Sequence, residues 1–68
     1  MYQKLHQELE KRQLSINKLS FMSGITASDL YSALSGKKPL YPNWRKRIAE
    51  ALGMKIEELF PEEEERND

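Results

Sequence analysis

Residues 14–36 read LSINKLSFMSGITASDLYSALSG and contain two stretches of helical spacing on either side of Gly24. The first stretch predicts a helix over residues 16–23, with the serine before it as the N-cap. The second predicts a helix over residues 27–35, capped by Thr26. Glycine turns the chain between them at little steric cost, because it has no Cβ. The segment therefore predicts two short helices joined by a tight turn.

The positions inside this segment have the spacing of a helix-turn-helix. Counted from Ile16, the ninth residue is the glycine of the turn and the fifth is Ser20, which is small enough for two closely crossing helices. The fourth, tenth, fifteenth and eighteenth positions form an apolar seam and are occupied by Leu19, Ile25, Leu30 and Ala33. The opposite face of the second helix carries Ser28, Tyr31, Ser32 and Ser35.

Three further helices are predicted outside the segment. Residues 2–12 place Tyr2, Leu5 and Leu9 on one side, and a helix from Pro42 to Leu52 ends before Gly53. A short fifth helix covers residues 54–60, and its Ile56, Leu59 and Phe60 are expected to close the core. Leu19 and Met22 are expected to face inward, and residues 36–41 to form an exposed loop. The prediction is an all-α domain over residues 1–61, followed by an acidic tail at 62–68 that frays.

Composition excludes several classes of protein. The chain has 68 residues and no cysteine, so it forms one small domain without disulfides. No apolar run exceeds two residues, and the first residues are too polar for a signal peptide, so we expect no membrane partner and a reduced, cytoplasmic setting. We find no catalytic set of residues, no metal-ligand set and no phosphate-binding glycine loop. We therefore expect neither an enzyme nor a cofactor.

The net charge of zero conceals two opposite halves. Residues 1–50 carry nine Lys or Arg and four Asp or Glu, a net charge of +5. Residues 51–68 carry two and seven, a net charge of −5. A basic body of this kind can meet a polyanion, although a solvated surface explains the same pattern.

The chain from Leu5 to Phe60 resembles the phage-repressor/Cro type of helix-turn-helix domain, the xenobiotic-response-element regulator family. The residues that carry the resemblance are Leu14-Ser15, Leu19-Ser20, Gly24-Ile25-Thr26, Leu30, Ser35-Gly36-Lys37-Lys38-Pro39, Ile48-Ala49, Ala51-Leu52-Gly53 and Ile56-Glu57-Glu58-Leu59-Phe60. The resemblance implies a compact five-helix, lambda-repressor-like DNA-binding domain. It also implies sequence-specific operator binding as a homodimer.

The same resemblance assigns roles to individual residues. Those implied to contact bases in the major groove are Ala27, Ser28, Tyr31 and Ser32. Those implied to contact phosphates are Asn17, Ser35, Lys37, Lys38, Tyr41 and Arg45. Leu59 and Phe60 are implied to form the dimer interface.

Two functions remain open from the sequence. The first is a transcriptional regulator that binds double-stranded DNA. The second is a protein-interaction module on the same fold, with an accessory or anti-repressor role and a protein partner. Ile16 and Ala27 stand where many family members have long polar residues, and together with Asp29 and the acidic tail they favour the second function.

Overall fold

The computed structural model describes residues 2–61, which contain five helices and no strand. The helices are α1 (Gln3–Lys11), α2 (Ile16–Ser23), α3 (Ala27–Leu34), α4 (Pro42–Leu52) and α5 (Ile56–Leu59). The predicted all-α, five-helix architecture is confirmed. The predicted acidic tail at 62–68 lies outside the described residues.

The two helices of the central segment begin at the predicted caps. The Ser15 hydroxyl accepts a hydrogen bond from the Lys18 backbone N–H at 3.1 Å, and the Thr26 hydroxyl accepts one from the Asp29 N–H at 3.1 Å. Each bond satisfies a backbone donor that the helix itself leaves unpaired. Both helices therefore start where short polar side chains can replace the missing backbone acceptors.

The turn between α2 and α3 is built on Gly24, whose φ of 76° lies in the left-handed region. Its N–H donates to the Ser20 carbonyl at 2.9 Å, which closes α2. The Ser23 hydroxyl then accepts from the Ile25 N–H at 3.3 Å, so its burial costs no unsatisfied group. α2 packs mainly against α3 and α4.

The prediction that Met22 faces inward is wrong. Met22 is 40% exposed, and Ser23 is buried beside Leu19 instead. On a helix, residue i+4 lies about 40° from residue i, whereas residue i+3 lies about 60° away on the other side. α3 and α4 pack on the side of Ser23, so the methionine turns toward solvent.

All five helices contribute apolar side chains to a single hydrophobic core. Its six largest completely buried side chains are Leu5, Leu19, Leu30, Ile48, Leu59 and Phe60. Tyr2 closes one end, with its ring edge-on to the Phe60 ring at a centroid distance of 6.0 Å. Leu40 is also buried, so the expectation of a fully exposed loop at 36–41 is wrong at this residue.

Three helices are shorter than predicted. α1 covers Gln3–Lys11 rather than residues 2–12. α3 stops at Leu34 rather than residue 35, and α5 covers four residues instead of seven. After α4, the Met54 N–H donates to the Ala49 carbonyl at 2.9 Å across Gly53. This bond belongs to a Schellman cap, which holds Met54 outside any helix. The fifth helix consequently begins only at Ile56.

A line of three charges lies along α1. Glu8 is buried, and its carboxylate lies 3.3 Å from the Lys4 ammonium and 3.1 Å from Arg12 Nε. Arg12 first, and Lys4 second, hold the pKa of Glu8 below its ordinary value. The two partners allow a carboxylate to sit against the core at this position.

Candidate nucleic-acid interface

The outward face of α3 is polar and open to solvent. Ser28 is exposed, Tyr31 is 57% exposed, and Ala27 and Ser32 are half-buried at the edges. The helix is anchored on its other side by apolar residues that have no exposed surface, Leu30 and Ala33. The four residues predicted to contact bases therefore lie outside the core, and two of them, Ser28 and Tyr31, are exposed.

The loop after α3 is folded back on the end of that helix. Gly36 has a φ of 89°, its N–H donates to the Ala33 carbonyl at 3.2 Å, and the Lys37 N–H donates to the Ser32 carbonyl at 2.9 Å. This pattern is a complete Schellman cap. The Lys38 N–H reaches the same Ser32 carbonyl at 3.2 Å. Two exposed lysines are thereby held beside the polar face rather than left on a free loop.

Lys38 forms an ion pair with Asp29, which lies at the edge of the polar face. Its ammonium lies 2.9 Å from Asp29 Oδ1, although nine positions separate the two residues. Lys38 holds the pKa of the Asp29 carboxyl below its ordinary value, and Asp29 raises the pKa of Lys38. The sequence gives no warning of this contact, because it exists only once the cap of α3 has turned the chain back.

Arg45 holds the loop before α4. Its Nη1 donates to the Leu40 carbonyl at 2.9 Å, and its Nε is buried and has no hydrogen-bond partner among the described residues. The guanidinium is therefore partly withdrawn from the phosphate contact that the resemblance implies. Tyr41 is 46% exposed, and its ring stands edge-on to the Trp44 ring at 4.7 Å.

The remaining predicted phosphate contacts lie at helix ends. Asn17 is exposed in the first turn of α2, where unpaired backbone N–H groups favour anions. Ser35 is exposed after α3, and its hydroxyl donates to the Ser32 carbonyl at 3.2 Å. Both side chains are available to solvent, at opposite ends of the helix-turn-helix.

Leu59 and Phe60 are completely buried within a single copy of the chain. They close the core against α4 and Tyr2, so they offer no surface to a second copy while α5 stays packed. The most exposed large apolar side chain among the described residues is instead Phe21, at 84%, beside Met22 on α2. Its position about 200° around the helix from Leu19 could have identified it from the sequence.

An open groove of about 580 Å³ runs beside α3. Its lining comes from α1, the start of α2 and the end of α3: His6, Leu9, Leu14, Ser15, Ile16, Tyr31, Leu34 and Ser35. Tyr31 belongs to both the groove and the polar face. Its phenol is therefore held at the boundary between an apolar wall and solvent.

Residues 2–61 contain neither a candidate metal site nor a candidate membrane span. No group of three or more His, Asp or Glu side chains there could hold a metal ion. None of the helices described combines the length and the apolar character needed to cross a membrane.

Comparison with known proteins gives one result. A family model described as winged helix-turn-helix DNA-binding matches residues 3–65, nearly the whole chain. No curated protein and no solved structure matches the chain. The family match supports a helix-turn-helix DNA-binding domain, but does not single out the phage-repressor/Cro type.

Proposed function

The chain belongs to the family of winged helix-turn-helix DNA-binding domains, and from this we propose that it is a transcriptional regulator that reads double-stranded DNA sequence-specifically. α3 is the recognition helix and lies in the major groove, as in the phage-repressor type. The observation that carries the proposal is the exposed polar face of α3, continued by two lysines that its C-terminal cap holds in place. Residues 2–61 contain no strand to act as a wing, so the capped loop after α3 contacts the DNA backbone in its place.

Base contacts come from the polar face. Ser28 and Ser32 can donate to or accept from several base edges, and Ala27 can touch a thymine methyl group. Tyr31 adds a larger surface with a hydroxyl at its tip, which is exposed on this face. These contacts orient α3 in the groove.

Phosphate contacts come from both flanks of the helix-turn-helix. Lys37 and Tyr41 lie after α3, whereas Asn17 lies at the start of α2; the Lys38 ammonium is instead paired with Asp29. Arg45 supports this grip indirectly, because it fixes the Leu40 carbonyl and therefore the path of the loop. Such contacts set affinity and position, without reading sequence.

Two copies bind neighbouring half-sites about 34 Å apart, the distance of one turn of DNA. Because Leu59 and Phe60 are buried, the dimer uses another surface. The exposed apolar pair on α2, Phe21 and Met22, supplies one. Sedimentation velocity should show a concentration-dependent dimer that Phe21→Ser weakens. A monomer at every concentration, alone and on DNA, would remove the dimer from the proposal.

The test of DNA binding is a fluorescence-anisotropy titration of duplex DNA at several salt concentrations. The logarithm of the affinity should fall linearly with the logarithm of salt, by about 0.9 for each phosphate contacted. Lys37→Ala should reduce that slope by about 0.9, because it removes one such contact. Lys11→Ala removes the same charge from α1, outside the proposed surface, and should leave the slope unchanged. Absence of binding at low salt would refute the proposed function.

Sequence reading is tested separately by selection from a random duplex pool. The wild-type protein should enrich a defined motif, and Ser28→Ala should weaken the preference at one position of it. Enrichment without any motif would leave a non-specific DNA-binding protein and refute sequence-specific reading.

A protein-interaction module is the second candidate function, because Phe21 exposes an aromatic ring that the fold does not use. Under this alternative, a protein partner binds α2, and Phe21→Ser abolishes the complex while Tyr31→Ala leaves it intact. The wild-type chain would then fail the DNA titration.

A further inference from the structure

Asp29 and Lys38 form a carboxylate–ammonium pair at the edge of the polar face, with Oδ1 and Nζ 2.9 Å apart. Resting on the proposed function, we propose that this pair reads one C·G base pair: Asp29 accepts from cytosine N4 while Lys38 donates to the guanine. Asp29 is in the first turn of α3, and the N-terminal residues of a recognition helix are those that contact base edges. It is the specificity-determining residue of the interface.

The pairing removes the usual objection to a carboxylate near DNA. An isolated negative charge would be repelled by the phosphates, whereas here the ammonium of Lys38 cancels it at hydrogen-bond distance. The Asp29 carboxyl is ionised at neutral pH and acts only as an acceptor, and Lys38 favours this form further by lowering its pKa. The Asp29 side chain is 30% exposed to solvent, which leaves room for a base to contact it.

The spacing of the two charges matches the edge of a base pair. In a C·G pair, the N4 amino group of cytosine donates to O6 of guanine, so a donor and an acceptor lie side by side at about 2.9 Å. An acceptor and a donor 2.9 Å apart on the protein present the complementary pattern. The pair can therefore meet both bases together without being separated.

An A·T pair also has an adjacent donor and acceptor, but its other groups fit poorly. Adenine N7 is an acceptor next to N6, and it would face the carboxylate of Asp29. The thymine methyl group would lie against the ammonium of Lys38. In C·G, by contrast, guanine offers both O6 and N7 to the lysine, and no acceptor lies beside cytosine N4.

The rest of the face cannot supply this discrimination. Serine hydroxyls pair with several base edges, and alanine reads at most a methyl group. α3 carries no Arg, Asn or Gln, the side chains that make bidentate contacts with bases. Selection of a C·G pair consequently falls to the one charged side chain of the helix.

The experiment is selection from a random duplex pool, followed by affinities for the four base pairs at the enriched position. The wild-type protein should prefer C·G by roughly 5- to 150-fold, the range of a good base contact. Asp29→Asn should transfer the preference to A·T, because an amide pairs with adenine N6 and N7. Lys38→Ala should lose the preference and bind more weakly, whereas Lys37→Ala should bind more weakly with the preference intact. Circular dichroism checks that each variant is folded.

Three results would overturn the inference. In the first, Asp29→Asn keeps the wild-type motif and binds every sequence more tightly, with a steeper salt slope. Asp29 would then only prevent Lys38 from contacting phosphates, without reading a base. If the wild-type protein prefers A·T, the assignment of the base pair is wrong. In both cases the proposed function survives, whereas a wild-type protein that binds no duplex refutes the function and the inference together.

Discussion

Replacing Gln13 with glycine should stabilise the protein, whereas replacing Gly53 with alanine should destabilise it by a similar amount. Each residue comes just after the end of a helix and has a backbone conformation in the left-handed region, with φ of 55° at Gln13 and 68° at Gly53. The same two backbone hydrogen bonds form at each position. After α1, the Gln13 N–H donates to the Glu10 carbonyl at 3.1 Å and the next N–H to the Leu9 carbonyl at 2.8 Å. After α4, the Gly53 N–H donates to the Glu50 carbonyl at 3.1 Å and the next N–H to the Ala49 carbonyl at 2.9 Å. The two positions are equivalent Schellman caps, and only one of them has the residue that suits it.

The size of the effect follows from the backbone alone. A Cβ in the left-handed region costs about 1–2 kcal/mol, and glycine loses about 0.5–1 kcal/mol of this advantage through its freedom in the unfolded chain. The midpoints of these two ranges leave a net change of about 0.75 kcal/mol. At Gly53, an added Cβ meets no atom within 4 Å, so no clash contributes. Gln13 is exposed, so removing its side chain leaves no cavity.

Thermal unfolding followed by circular dichroism measures the effect. A change of this size shifts the Tm of a domain this small by about 2–8 °C, upward for Gln13→Gly and downward for Gly53→Ala. Gln13→Ala keeps a Cβ at the position and serves as the control, with a Tm close to that of the wild-type protein. A lower Tm for Gln13→Gly, or an unchanged one for Gly53→Ala, would show that these caps are not held in the left-handed region.

Leu30→Ala should cost about 2–5 kcal/mol, since the side chain is completely buried, and loss of the helical circular dichroism signal at low urea would reveal it. Ser15→Ala should cost about 1 kcal/mol in urea unfolding by removing the N-cap of α2, and Ser15→Asp should restore most of it. The pKa of Glu8 is lower when folded than its ordinary 4.5, so its stabilisation is present above that pH and disappears as pH falls through the folded value. The urea midpoint of Glu8→Gln should therefore be below wild type at pH 7 and should approach it in acid; a constant difference would contradict the ion pairs.

Local chemistry was sufficient to predict the helix-turn-helix. Ser15 and Thr26 cap the two helices and Gly24 turns between them, because each of these preferences acts within a few residues of the chain. The periodic burial of Leu19 and Leu30 follows from the same local geometry. Met22 was misplaced since periodicity gives a helix its apolar side but leaves the centre of that side uncertain by about one residue.

The sequence by itself determined that the chain forms short helices around a glycine turn, with a basic body and a polar third helix. Only the tertiary structure decided which charges meet. Asp29 and Lys38 come together because the cap at Gly36 reverses the chain, and Arg45 holds the Leu40 carbonyl because α4 packs against the loop. Helical spacing predicted Leu59 and Phe60 in the core, whereas the resemblance implied that they form a dimer surface. They lie in the core, since a small domain has few large apolar side chains and needs them inside. Helix caps depend on neighbours in sequence, whereas ion pairs and burial depend on how the helices are packed.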